Sequence, residues 1–220
     1  MSNINPEYEN LINSLIKDGY LKTPEIIEAF KAIDRADFVP EKYKSEAYVN
    51  APLPIDFGQT ISQPLTVAFM LELLEPRPGK KILDVGSGSG WTSAILAKIV
   101  GEQGKVIAVE RIPALFSFGA NNIAKFNFIE KGIVKPINAD GTKGYKSEAP
   151  YDRIIAGAAA YGDIPVSWKR QLKIGGRIVA PVEHSIVVID KTEKNKYNRK
   201  EYFGFSFVPL VKEQKYERKI

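Results

Sequence analysis

Between positions 81 and 182 short apolar runs alternate with amphipathic stretches, and this rhythm restricts the possible folds more than any other feature of the chain. Residues 81–85, 105–110, 134–138, 151–156 and 176–182 read as strands, with helices over 91–100, 113–126 and 165–172. Strands separated by helices need cover on both faces. That favours an α/β, doubly wound and mostly parallel sheet. After Val182 the alternation stops: residues 185–190 and 201–208 read as two strands joined by the polar stretch 191–200, so the sheet should end in an antiparallel hairpin with those charges at its tip.

Upstream, Tyr8, Leu11, Ile12, Leu15 and Ile16 mark a helix stopped by Gly19. Thr23-Pro24-Glu25 supplies an N-cap, a proline at the first helical position and an acid in the first turn of a second helix carrying Ile26, Ile27, Phe30 and Ile33. Both helices are expected to cover one end of the sheet. Residues 38–63 show no periodicity and carry Pro40, Pro52 and Pro54, the pattern of a long functional loop.

At 220 residues, 44% hydrophobic and 26% charged, the chain has ordinary globular proportions, enough for one sizeable domain over 1–220 and no membrane span. The N-terminal residues show no basic flank, apolar stretch or small-residue cleavage site, so a cytoplasmic location is expected. The chain has no cysteine, which excludes disulfides, thiolate nucleophiles and Cys-based metal sites. Its one histidine, His184, falls in an inter-strand turn, so neither a Ser-His-Asp triad nor a metal site is expected. The formal charge of +5 owes much to 191–200, and no helix face interleaves cations with aromatics, so a nucleic-acid partner is not expected.

The strongest local motif is Asp84-Val85-Gly86-Ser87-Gly88-Ser89-Gly90, between the first strand and its helix. Glycines there let the backbone approach a ligand at the helix N-terminus, beyond the carboxyl end of the strand. A tight turn without a ligand would need only one or two of the three. A dinucleotide site would want a glycine where Trp91 stands, which disfavours NAD. Glu110 ends the second strand, where an acid can accept both hydroxyls of a ribose, and Asp140 ends the third. Each acid alone could be a cap or turn residue. Together they suit a ligand with an amine, a ribose and an adenine but no phosphate, which is S-adenosylmethionine.

With these residues in place, the sequence resembles the protein-L-isoaspartate O-methyltransferase family over nearly its whole length. The resemblance rests on Phe38-Val39-Pro40, Ala51-Pro52-Leu53-Pro54-Ile55, Gly58-Gln59-Thr60-Ile61-Ser62-Gln63-Pro64 and the glycine loop. It continues through Glu110-Arg111, Asp140-Gly141, Ala149-Pro150-Tyr151-Asp152, Gln171-Leu172 with Gly175-Gly176-Arg177, and Phe207-Val208-Pro209-Leu210. It implies a Rossmann-like methyltransferase fold with N-terminal helices, and transfer of a methyl group from S-adenosylmethionine to L-isoaspartyl carboxylates of damaged proteins; a monomer is expected, though the sequence itself does not give the oligomeric state. The ester then closes to a succinimide and hydrolyses in part to aspartate. The division implied is 1–63 for the helices and substrate loop, 64–182 for the cofactor core and 183–220 for a hairpin closing the site.

By the same resemblance Ser62 is the active-site hydroxyl, and Gln59, Thr60 and Ile61 help form the cofactor and peptide pocket. Asp84, Gly86, Ser87 and Gly88 line the methionine end, Glu110 with Arg111 binds at the ribose, Asp140 with Gly141 reaches the adenine, and Val208-Pro209-Leu210-Val211 closes over the site. Asn50-Ala51, Asp56-Phe57 and Trp91 depart from common family residues. Ser62 has a second role open to it, as N-cap of the helix begun by Pro64. A carboxylate with a reference pKa of about 4 needs no general base, which agrees with the missing cysteine and single histidine. Two alternatives remain open: a methyltransferase of the same fold acting on RNA or a small metabolite, and a non-catalytic cofactor-binding protein. An RNA base methylase would want amide, proline and aromatic residues after the fourth strand, where this chain has Ala156-Gly157-Ala158-Ala159-Ala160.

Overall fold

The computed structural model describes residues 4–210. The chain opens with α1 (Pro6–Lys17) and α2 (Pro24–Ala32), then two 3-10 turns, then a short hairpin of β1 (Leu53–Pro54) and β2 (Thr60–Ile61) leading into α3 (Pro64–Leu74). The core follows as β3 (Lys81–Val85), α4 (Trp91–Val100), β4 (Lys105–Glu110), α5 (Pro113–Ala124), β5 (Val134–Asn138), β6 (Tyr151–Ala156), α6 (Val166–Gln171), β7 (Leu172–Val182), β8 (Ser185–Glu193) and β9 (Lys196–Phe203). The seven long strands form one sheet in the order β5-β4-β3-β6-β7-β8-β9. From β5 to β7 all pairs are parallel, whereas β8 and β9 run antiparallel to their neighbours.

The chain walks outward from β3 to β5 and then returns to place β6 on the other flank of β3. Such a reversal leaves a crevice at the carboxyl ends of β3 and β6, where ligands bind in open α/β sheets. Side-chain alternation sorts each strand onto two cores. Ile82, Val106, Ala108, Ile155 and Val179 pack under α3, α4 and α5, while Leu83, Val85, Ile107, Val109, Ile154 and Ile178 pack against Trp168 of α6 and Tyr151.

Several boundaries differ from those the sequence suggests. The two N-terminal helices form an outer layer, α2 packing on α4 and α3. Thr23 is the N-cap residue of α2 but makes no side-chain cap; its N–H and hydroxyl donate to the Glu72 carboxylate of α3, which also accepts from Lys22 N–H. Among the described residues the second sheet face carries only α6 and short 3-10 turns, because β5 reaches β6 without a full helix. Strand β7 starts at Leu172, four residues early, and bulges before it rejoins β6 at Arg177.

The terminal hairpin shows the largest difference. Residues 191–200 lie mostly within β8 and β9, the turn itself being Lys194-Asn195, and β9 ends at Phe203 where the expected strand ran to 208. An outermost strand with solvent on its surfaces needs no apolar alternation, so its charged residues pair as well as any others. Residues 205–208 instead leave the sheet after Gly204, whose φ of +95° turns the chain back toward the crevice.

Candidate active site

The crevice is one continuous cleft with three compartments. An inner one is walled by Glu110, Arg111, Ile112, Leu115, Gly141 and the segment Val208–Leu210. A middle one lies among Asp84, Ser87, Trp91, Thr92, Ile61 and Ser62. An outer one opens between Pro52, Ser62, Gln63 and Thr66 on one side and Ser206, Phe207 and Val208 on the other. Thr60 and Gly157 line all three compartments, so they mark the place where contents of the inner and outer parts would touch.

The glycine loop forms the floor. Gly86, Gly88 and Gly90 have φ values of +73°, +51° and +86°, so backbone conformation alone calls for all three. Their number is thus no separate sign of a ligand; the lining carboxylates and apolar walls carry that inference. Packing beneath the loop is close. A Cβ on Gly119 of α5 would lie 2.5 Å from the Gly88 carbonyl, so this helix-interior glycine lets α5 approach.

Glu110, 7% exposed, ends β4 and ties the loop to it, Oε2 accepting from Gly88 N–H at 3.0 Å and Oε1 from Ile112 N–H at 2.9 Å. A carboxylate has about four acceptor sites, so hydroxyls in the inner compartment still find lone pairs. Asp84 is buried near the end of β3 and accepts a hydrogen bond from Ser93 of α4. Burial pushes its pKa up to about 6; the Ser93 bond opposes the shift and the Glu110 charge adds to it. Two acids facing the floor make the cleft suited to a cation with vicinal hydroxyls and unsuited to a phosphate. Ile112, Leu115 and Val109 beside Glu110 offer the apolar surface a flat purine needs. This donor set fits S-adenosylmethionine.

Not every residue picked out in the sequence reaches the cleft. Asp140 does not line it; its Oδ1 caps a 3-10 turn by accepting from Thr142 N–H and Oγ1, and the wall position goes to Gly141. That turn is held from below by α6: Trp168 Nε1 donates to the Gly141 carbonyl at 2.8 Å, Ser167 to the Thr142 carbonyl and Gln171 to the Lys143 carbonyl. Gln59, Thr60, Ile61, Ser62, Asp84, Gly86, Ser87, Gly88, Glu110 and Arg111 all line the cleft. His184 lies exposed in the β7–β8 turn and lines none of it.

Ser62 does not cap α3. The N-cap residue is Gln63, and Asn50 Oδ1 accepts from Leu65 N–H at 3.0 Å while the Asn50 carbonyl accepts from Gln63 Nε2. The Ser62 hydroxyl makes no hydrogen bond within the described residues, and the side chain borders the middle and outer compartments. Asp56 and Phe57 sit at the exposed tip of the β1–β2 hairpin, both with positive φ. The C-terminal segment adds a cover, Ala159 N–H donating to the Val208 carbonyl and Leu210 N–H to the Ala159 carbonyl at 2.8 Å each; Val211 lies outside the described residues. Sequence reasoning missed Ser93, Gly119, Ile112, Leu115 and Gly157. Of these only Gly119, a glycine inside a helix, carried a signal of its own.

No helix among the described residues is long and apolar enough to cross a membrane. In structure the chain is similar to a Plasmodium falciparum protein-L-isoaspartate O-methyltransferase described in complex with S-adenosyl-L-homocysteine, with a TM-score of 0.84 over 95% of this chain and 100% of that one at 24% identity, which supports the fold. In sequence it is 45% identical over 213 residues to a protein-L-isoaspartate O-methyltransferase of Methanopyrus kandleri, covering 95% of this chain and 93% of the relative. A relative of the same description from Staphylothermus marinus is 40% identical over 216 residues, covering 94% and 95%. The family model "Protein-L-isoaspartate(D-aspartate) O-methyltransferase" matches residues 6–215. A match of that extent, on a cleft with this donor set, assigns the chain to the protein-L-isoaspartate (D-aspartate) O-methyltransferase family, whose methyl donor is S-adenosylmethionine.

Proposed function

We propose that the chain carries out its family's repair methylation with the following division of labour: the inner and middle compartments hold the donor, the outer one holds the isoaspartyl residue, and Ser62 orients the accepting carboxylate between them. The observation that carries this is the position of 60–62: Thr60 borders every compartment and Ser62 the outer two, with an uncommitted hydroxyl. Glu110 would hold the ribose hydroxyls, Ile112 and Leu115 the purine, and Asp84 with the Ser87–Gly88 backbone the amine end. Bound S-adenosylmethionine supplies a sulfonium methyl group open to in-line displacement.

What the protein adds is placement. An isoaspartyl carboxylate is ionised at neutral pH, so no residue needs to remove a proton. Donating a hydrogen bond from Ser62 fixes which oxygen points inward, and Val208–Leu210 with Thr60 narrows the passage and excludes water. Holding two reactants in attack geometry accounts for a large share of the acceleration in such reactions.

Methyl incorporation into an isoaspartyl peptide, its aspartyl twin and bulk RNA tests the substrate class; labelling of RNA in preference to the isoaspartyl peptide would refute it. Ser62→Ala tests the placement. It should lower turnover on the isoaspartyl peptide roughly ten- to a hundredfold, the loss of one hydrogen bond in the transition state, with little change in S-adenosylhomocysteine affinity. Unchanged turnover would remove Ser62 from the mechanism.

A further inference from the structure

One buried cation has no part in the chemistry above. Arg35, in the 3-10 turn after α2, is fully buried, and among the described residues no carboxylate forms an ion pair with it. Its guanidinium instead gathers backbone carbonyls: Nη1 donates to Ala47 at 2.6 Å and Val49 at 3.3 Å, Nη2 to Ala51 at 2.9 Å and Ser62 at 3.2 Å. Among the described residues its Nε–H has no partner, and the guanidinium carbon lies 5.5 Å from the ring centroid of Trp91, which lines the middle compartment. Burial without a countercharge lowers its pKa to about 10.

Placing a cation here is costly, since an apolar side chain of similar size would avoid both the desolvation and the orphaned N–H. The geometry shows what the cation provides. Ala47, Val49 and Ala51 precede the β1–β2 hairpin and Ser62 follows it, so one side chain joins both legs of the loop at its base. The planar fork can serve carbonyls on both sides at once; a lysine ammonium has three donors at a single point.

We propose that Arg35 is a positioning residue for the methyl transfer, a cationic staple that fixes the Ser62 peptide and thereby aims the Ser62 hydroxyl into the cleft. This inference rests on the role of Ser62 given above. It makes the active-site loop preorganised from behind, by a group that never touches the ligands.

The test is a double-mutant cycle with Arg35→Lys and Arg35→Gln, each alone and combined with Ser62→Ala, assayed for turnover on an isoaspartyl peptide and for S-adenosylhomocysteine binding by calorimetry. Expected is a fall in kcat/KM of tenfold or more for Arg35→Gln, a smaller one for Arg35→Lys, and cofactor affinity within about threefold of the parent. In the Ser62→Ala background the Arg35 changes should cost little more, because the group they aim is already gone. Fully multiplying losses would overturn the proposal, as would a parental rate in both Arg35 variants. If both variants unfold at the assay temperature, Arg35 holds the whole fold rather than the loop, which also overturns it. A silent Ser62→Ala in an otherwise active parent would instead defeat the assigned role of Ser62 itself.

Discussion

Asp84 gives the sharpest energetic prediction, because its carboxyl is buried and its pKa stands at about 6 against an ordinary 3.8. An acid whose pKa is raised by folding holds its proton more tightly in the native state. Between pH 4 and 6 the native protein therefore binds more protons than the unfolded chain, and stability falls as pH rises through that window. Two units at about 1.4 kcal/mol each give a loss of roughly 2 to 3 kcal/mol on going from pH 4 to pH 7. Asp84→Asn keeps an acceptor for Ser93 but cannot ionise, so its stability should lack this component. Urea denaturation of parent and variant at pH 4, 5.5 and 7 reads the difference in slope, which is insensitive to any constant packing change. Parallel pH profiles would refute the assignment. A ligand ammonium beside Asp84 would relieve the same penalty, so affinity for S-adenosylhomocysteine should rise from pH 5 to 7 in the parent and stay flat in Asp84→Asn.

Other expectations follow from the same geometry. Glu110→Ala should weaken S-adenosylhomocysteine binding by about 1 to 3 kcal/mol, through hydroxyl contacts and the loosened Gly88 amide, and calorimetry showing parental affinity would exclude the ribose role. Gly119→Ala adds a methyl 2.5 Å from the Gly88 carbonyl, so it should displace the loop and reduce cofactor affinity at least tenfold even though alanine favours helix; a gain in both stability and affinity would show that α5 can retreat. His184→Ala should leave turnover within twofold of the parent, and a dead variant would bring into the mechanism a group that lies outside the cleft.

Much of the core was legible because strands buried on both faces must be apolar throughout and end at the crevice. The bounds of β3, β4 and β6 follow from that pattern, as does the placing of Glu110, whereas β5 is an edge strand fully buried only at Val134 and is recognised by its place in the alternation. Legibility fades where burial fades. The charges of β9 carry no periodicity, so its sequence marks neither its start at Lys196 nor the two-residue turn before it. Asp140 ends the third strand as its position suggests, but its Oδ1 is given to a local turn, accepting from the Thr142 amide, a bond that the strand pattern does not announce. Ser62 looked equally like a cap, and what displaces it from that role is Asn50, distant enough in sequence that no local rule connects them. The buttress of Gly141 by Trp168 and the stapling by Arg35 are long-range contacts of the same kind.

The charged outer strand has a bearing on the protein's life in solution. Along β9 only Tyr197 and Tyr202 are partly buried, while Arg199 and Lys200 stand exposed at its middle, on a strand whose outer edge pairs with no other strand among the described residues. A second copy laid antiparallel about that midpoint would set Lys200 against Arg199, whose own charge is already met by Asp163 at 2.6 Å and Glu201 at 2.7 Å, so the exposed lysine carries the repulsion. Exposed edges invite further strands, and lysine and arginine there are a recognised deterrent. The strand that completes the sheet, with Lys196 and Lys200 exposed along it, thus also disfavours the addition of a further strand at that edge.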